Sequence, residues 1–476
     1  MGLCFYKQHC LLFSKRFWGK KILKFLHLSD VHLGHRQYNM SLRQKDMQYS
    51  FLSTINSGIQ EQVDFVLLCG DLFHHKNVTA QTLSNAEKGL QQFSTHQIPV
   101  VLIQGNHDAK LYKQDMTWLE YLHRKKTGIL LQADVSDSTL FFKQYDKHNP
   151  SSHAGFIDIN NVRIFGLQYS GQQTSDRLQQ IPTAIQRVND EFGKAEHTIL
   201  MGHFGVEGHI PGITGGVSEE TLAPLRNVVD YVALGHLHKQ YSENNWIFNP
   251  GSLEAHDTRE ATWDLGYYIT TITKENGVNT SHHLSKRRPF YKIVFSVDRF
   301  HSKEGLLHGF KRKLSVEESS VQEMQQESHF QDENGVRQPI IDLRLKGQLH
   351  FSRSLLDINE LIQLVEQVIH PVKVQPSDAT ESLEIQELLT AIEGGREVIF
   401  DEEGHVNRDR LEQAVFSMKA GEDDRFKHKK KQVAEILFAL KTELLSNENP
   451  EDVAKTLQKK RRQFFPTDSE QVEDSS

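Results

Sequence analysis

Cysteine is scarce in this chain. Cys4, Cys10 and Cys69 are the only thiols among 476 residues. Three thiols cannot build a disulfide framework, and Cys69 sits inside an apolar run as a small core residue. A reducing compartment, the cytoplasm, is therefore expected. Long apolar runs are missing too. No run reaches 18 residues, which excludes a transmembrane helix and removes the membrane from the expected partners. Excess positive charge is also lacking, with 55 basic against 62 acidic residues and a net charge of −7. That excludes a protein coating polyanions over its whole surface. A local basic groove stays open, because net charge averages over faces. Residues 1–20 hold four basic and no acidic residues. They lack the apolar core and cleavage site of a signal peptide and read as a disordered or artefactual extension.

At about 100–200 residues per domain, the length suggests two or three domains. From residue 22 to about 273, apolar runs recur at 22–28, 63–68, 98–103, 162–167, 198–201, 228–234 and 246–248. They are short and rich in Val, Ile, Leu and Phe, as buried strands are. Helical patterns lie between them; Phe51, Leu52, Ile55 and Ile59 share one helix face. This alternation predicts a layered α/β domain over residues 21–285. Residues 286–378 predict a small α+β lobe. Its strand-like runs are 291–297, 340–345 and 372–374, and Ile358, Leu361, Ile362, Val365, Val368 and Ile369 form a helix pattern. The polar, Gln-rich stretch 315–338 reads as a solvated helix end and a mobile loop. Residues 379–465 read as charged helices with an apolar stripe at Val433, Ile436, Leu437, Leu440 and Leu444, and 466–476 as a disordered tail.

The histidines run against the scarcities, at 26 residues, and their positions decide what they mean. Five polar signatures fall at or just beyond the ends of apolar runs. They are Asp30-Val31-His32, Gly70-Asp71, Gly105-Asn106-His107-Asp108, Gly202-His203 and Gly235-His236-Leu237-His238. In open α/β folds, sites assemble at the carboxyl ends of strands, so all five can meet on one rim. Asp, Asn and imidazole are donors for Mn, Fe or Zn, and no thiolate is offered. Two metals sharing a carboxylate would clamp a phosphate and activate a water between them. Singly, each signature is ordinary turn chemistry; in this order, each after a buried strand, they predict a two-metal site.

The blocks LSDVHLG, CGDLFHH, IQGNHD, MGHF and ALGHLH resemble the signatures of calcineurin-like binuclear metallophosphoesterases. Within that superfamily the chain looks most like the SbcD-type nuclease components of DNA double-strand-break repair complexes. The finer match rests on HLSDVHLG, GDLFHH and FNPGSLE, with RRPFYKIVFSVD resembling the entry into a capping domain. The resemblance implies two mixed sheets sandwiched between helices, followed by the capping domain and a partner-binding helical tail. It assigns Asp30, His32, Asp71 and His238 to one metal, and Asp71, Asn106, His203 and His236 to the other. The metals implied are two divalent ions, with Mn²⁺ expected. His107 would approach the scissile phosphate as a general acid, with Asp108 orienting it. His74 would position the strand for exonuclease work. The implied activity is 3′–5′ exonuclease on duplex DNA and endonuclease on single strands. The implied partners are DNA ends, single strands and hairpins, together with an SMC-like ATPase of SbcC type, the nuclease forming a homodimer within a heterotetramer.

Other histidines flank the motifs. His27 lies in the first strand run and reads as a hydrogen-bonded core residue. His35 and His75 invite over-reading. His209, in the Gly-rich loop 205–216, is a candidate substrate contact. Two competing functions stay open: a phosphodiesterase for small molecules or nucleotides, and a DNA-end-binding scaffold. The intact donor set argues against the scaffold, since clustered charge destabilises a fold unless a cation answers it.

Overall fold

The computed structural model describes residues 22–110, 115–209, 216–273, 277–382 and 407–446, with 454–455 and 458–459. The expectations for 1–20 and 466–476, and part of those for the tail, lie outside the described residues. The chain divides into two compact units. One comprises 1–291 with 318–341 and 370–373; the other comprises 292–317, 342–369 and 374–476.

The first unit is built on four buried parallel strands: β1 (Ile22–Leu28), β2 (Phe65–Cys69), β3 (Val100–Ile103) and β4 (Ile129–Leu130). An antiparallel hairpin, Gly266–Thr273 and Gly277–Leu284, extends this sheet beyond β1 to six strands. A second six-stranded sheet runs in the order 241–243, 247–249, 231–235, 197–203, 162–167, 156–159.

Side chains alternate across each strand, and that alternation makes three layers of core. In β2, Val66 and Leu68 face a cluster holding Phe51, Ile55, Leu90 and Phe93. These come from helices α1 (Ser41–Gln60) and α2 (Ala80–Thr95). Phe65, Leu67 and Cys69 face the opposite way, into a cluster with Ile199, Met201, Tyr231 and Ala233 of the second sheet. On that sheet's far side, Leu200, Val232 and Leu234 pack with Leu178, Ile181 and Ile185 of the helix Thr174–Phe192. The order is helix, sheet, sheet, helix, as expected from the sequence. Local signals agree with it: the Thr79 side chain caps α2 by accepting from the Thr82 N–H, worth about 1 kcal/mol.

The stretch 315–338 departs from its expected mobility. A helix runs over Lys303–Gln325, a short ribbon pairs 331–332 with 335–336, and Phe330 and Arg337 are buried. Arg337 and Arg288 both pair with Asp46 of α1, and Arg43 adds a 2.6 Å contact from the same helix. Composition hides this, because the buried charge of Arg337 is answered by a carboxylate remote in sequence.

The second unit carries a three-stranded sheet with Ile340–Leu349 central between Phe290–Ser296 and Lys373–Ser382. Phe295 stacks edge-on against Phe310 of the adjoining helix. The helix Ile358–Ile369 buries Leu361 and Val365 of the expected stripe. Two tail helices, Arg408–Glu422 and Lys430–Ser446, pack against each other. Among the described residues, no helix is long and apolar enough to cross a membrane.

Candidate metal centre

The site grows from strand ends. β1, β2, β3 and the strands His197–His203 and Tyr231–Gly235 run parallel within their sheets and deliver their carboxyl ends to one rim. There the backbone turns sharply. Asp30 (φ +52°), His32 (+50°), Asp71 (+52°) and His236 (+94°) all adopt left-handed conformations. A non-glycine residue there costs of order 1–3 kcal/mol and persists only when its surroundings over-determine it. They do so here. The Asp30, His32 and Leu33 N–H groups donate to the carbonyls of Gly70, Asp71 and Leu72 at 3.1, 3.0 and 2.9 Å, so the two turns run side by side. Gly105 is obligatory for a different reason. A Cβ there would lie 2.1 Å from Asp71 Oδ1.

These turns bring all seven expected donors together. Asp71 Oδ2 lies 3.3 Å from His203 Nε2 and 3.8 Å from His32 Nε2. Asp30 Oδ1 lies 4.0 Å from both His32 Nε2 and His238 Nε2, and those two nitrogens are 3.1 Å apart. Asn106 Oδ1 sits 3.1 Å from His203 Nε2 and 3.0 Å from His236 Nδ1. Asp71 is therefore shared by an Asp30–His32–His238 side and an Asn106–His203–His236 side.

The donor chemistry fits two cations. His203 Nδ1 bonds the Cys69 carbonyl at 2.7 Å, and His238 Nδ1 bonds the Glu260 carboxylate at 2.8 Å. Both partners only accept, so each Nδ1 carries a proton and each Nε2 is turned toward the aspartates. Asp30 and Asp71 are both buried, and two buried carboxylates need positive charge beside them. Their field shows on the rings. Burial works against charge on His203 and His238, yet Asp71 lifts His203 and Glu260 lifts His238, each to about 9.

The three residues expected to assist catalysis divide. His107 is at the centre: its N–H donates to Asp71 Oδ1 at 2.8 Å, and its Nδ1 donates to the His74 carbonyl at 2.7 Å. His74 places Nδ1 3.2 Å from His32 Nδ1. Asp108 departs from its expected contact. Its carboxylate accepts the N–H groups of Phe73 (3.0 Å), Gly105 (3.1 Å) and Leu72 (3.3 Å), so it pins the β2 and β3 turns together and does not orient the His107 ring. Backbone donors are the stronger draw, because all three would otherwise be buried without partners.

Of the flanking histidines, His27 is a buried core residue bonded to Tyr231 Oη and the Leu234 carbonyl, and burial pushes it down to about 3. His209 stacks on Tyr241 at 3.7 Å. Two neighbours of the centre escaped the sequence reading. Glu260 accepts both the His238 ring proton and the His256 N–H, and His256 packs against His32 at 4.5 Å. Both come from an irregular segment with no periodicity. The only cue was its place directly after the FNPGSLE block. A cavity of about 380 Å³ adjoins the Asn106 side, lined by Tyr169, Gln172, Thr174, Phe204, Val217 and His236.

Comparison with known proteins agrees with this geometry. The "DNA double-strand break repair protein Mre11" of Methanococcus maripaludis is 28% identical over 267 residues, covering 54% of this chain and 65% of that protein. The protein of the same name from Methanosarcina acetivorans is 36% identical over 284 residues, covering 58% and 41%. The SbcD component of the nuclease SbcCD from Staphylococcus saprophyticus is 27% identical over 262 residues, covering 53% and 66%. The chain thus spans less than two thirds of the length of these relatives. The calcineurin-like phosphoesterase model matches residues 23–240, the span that carries every donor described above. Residues 23–240 form a calcineurin-like phosphoesterase domain, of a class that works with a binuclear metal centre.

Proposed function

We propose that the chain is a metal-dependent DNA nuclease of DNA repair, cleaving phosphodiester bonds as a 3′–5′ exonuclease on duplex ends and as an endonuclease on single strands. The observation that carries this reading is the convergence of Asp30, His32, Asp71, Asn106, His203, His236 and His238 on one rim, with His107 beside them, in a chain similar to Mre11 and SbcD proteins. Asp30, His32, Asp71 and His238 would hold one divalent ion, and Asp71, Asn106, His203 and His236 the other, with Mn²⁺ suited to this oxygen-and-imidazole set. When bound, such a pair neutralises phosphate oxygens and lowers the pKa of an attacking water.

The chain's own groups do the rest. Glu260 and the Cys69 carbonyl fix the His238 and His203 rings, so their Nε2 atoms need no reorientation. His107 Nδ1 is committed to the His74 carbonyl, which leaves Nε2 to deliver a proton to the departing oxygen. Asp108 acts as a positioning residue, holding the two turns that carry Asp71 and His107. His74, on the rim beside His32, steers the strand. The cavity lined by Tyr169 and Phe204 offers room for a nucleotide next to His236.

The reading extends to an SMC-like ATPase of SbcC type docking on the C-terminal helices, a homodimer within a heterotetramer, and a cytoplasmic location. The half-exposed Leu437 on the helix Lys430–Ser446 supports the docking element. The test is an assay of the purified protein with Mn²⁺ on end-labelled duplex, circular single strand and bis-p-nitrophenyl phosphate. All three should be hydrolysed. Hydrolysis of the small ester alone would mean a small-molecule phosphodiesterase.

A further inference from the structure

Three histidines beside the centre are used by none of the roles given to the seven donors. His35 follows the β1 turn, His74 follows the β2 turn, and His256 comes from the segment after the FNPGSLE block. One ring nitrogen from each lies within 4.8 Å of the other two. The His35 and His256 rings are coplanar to 5°, with their Nδ1 atoms 2.8 Å apart. His74 stacks on His35 with centroids 3.9 Å apart. The remaining nitrogen of His256, Nε2, is buried with no hydrogen-bond partner. A buried polar nitrogen without a partner calls for an explanation.

We infer that His35, His74 and His256 form a third cation site, separate from the binuclear centre and selective for Zn²⁺, Ni²⁺ or Cu²⁺. The selectivity follows from the donors. The binuclear centre offers carboxylate and amide oxygens along with imidazole, whereas this cluster offers imidazole alone. Nitrogen-only sites favour the later first-row ions over Mn²⁺ and Mg²⁺. Two imidazole ligands at the usual Zn–N length of roughly 2.0–2.1 Å stand about 3.3 Å apart in a tetrahedral site. The His35 and His256 nitrogens therefore part by about half an ångström as an ion replaces the shared proton. Binding would also take His74 out of service as a strand-steering group. Zn²⁺ at this site would therefore act as a brake on duplex digestion.

The test is metal stoichiometry, read by elemental analysis after equilibrium dialysis against Zn²⁺. The wild type should hold one more Zn²⁺ per chain than His35→Asn or His256→Asn. The amide of each variant preserves a hydrogen-bonding group but removes the imidazole. Under Mn²⁺ alone, the three proteins should bind equal amounts. Equal Zn²⁺ counts in wild type and both variants would overturn the third site. So would unfolding of both variants without metal, seen by circular dichroism, since the cluster would then be a structural imidazole network. The readout is a difference between wild type and variant. A wild-type Mn²⁺ count below two would therefore count against the binuclear reading and leave this one standing.

Discussion

At the scale of single residues, the centre separates donors from helpers, and the two classes should fail differently. Asp71 faces both halves of the donor set with Oδ2 and takes the His107 N–H on Oδ1. Asp71→Asn should abolish phosphoesterase activity and lower metal content on both sides, because a neutral amide is a poor substitute for a shared carboxylate. Elemental analysis checks it, and full activity with two ions bound would remove Asp71 as the bridge. His107→Ala should keep both ions and lose turnover by about 10²–10⁴-fold, the usual range for a positioned acid–base group. Metal loss in that variant would make His107 a ligand. His74→Ala should divide the activities, with duplex exonuclease falling sharply and single-strand cleavage largely surviving. An equal loss on both substrates would assign His74 to the metal chemistry itself.

At the scale of elements, the buried charge cluster around Asp46 ties helix α1 to the segments carrying Arg288 and Arg337. Burial alone would raise the Asp46 carboxyl, but Arg288, Arg43 and Arg337 together hold it below its ordinary value. A depressed carboxyl adds stability that is complete above its unfolded pKa of about 3.9. That stability disappears as pH falls through the lower folded value. Asp46→Asn should therefore destabilise the protein at neutral pH by about 3–5 kcal/mol, the cost of leaving buried partners uncompensated. It should also flatten the acid limb of the unfolding curve below about pH 4. Denaturant midpoints at pH 7 and pH 3 check both; an unchanged pH 7 midpoint would mean that the arginines find other partners. The same cluster explains what was legible in sequence. β1, β2 and β3 were visible because strands buried on both faces are short, continuous apolar runs. The hairpin strand Gly277–Leu284 was not, because at a sheet edge its polar residues alternate into solvent. The turn motifs announced the centre, since several consecutive polar groups at a strand end need partners. Glu260, His256 and Arg337 stayed hidden, because each gains its meaning from a residue at least 22 positions away in the chain.

At the scale of the whole molecule, the account joins a phosphoesterase domain at residues 23–240 to a tail proposed to dock a partner. Leu437 is 36% exposed while its neighbour Ala434 is buried, so the tail helix Lys430–Ser446 has one face packed and another open. Leu437→Glu should weaken association with an SbcC-like ATPase in a pull-down while leaving hydrolysis of a small ester unchanged. Unchanged association would remove this helix as the docking element. The central claim, a two-metal DNA nuclease, is tested most directly by counting metal against cleavage. Protein stripped of metal is given Mn²⁺ in steps, and digestion of a 5′-labelled duplex is plotted against ions bound per chain. The account predicts negligible digestion up to one ion and full 3′-end shortening at two. Full digestion with a single ion, or none with two, would contradict it.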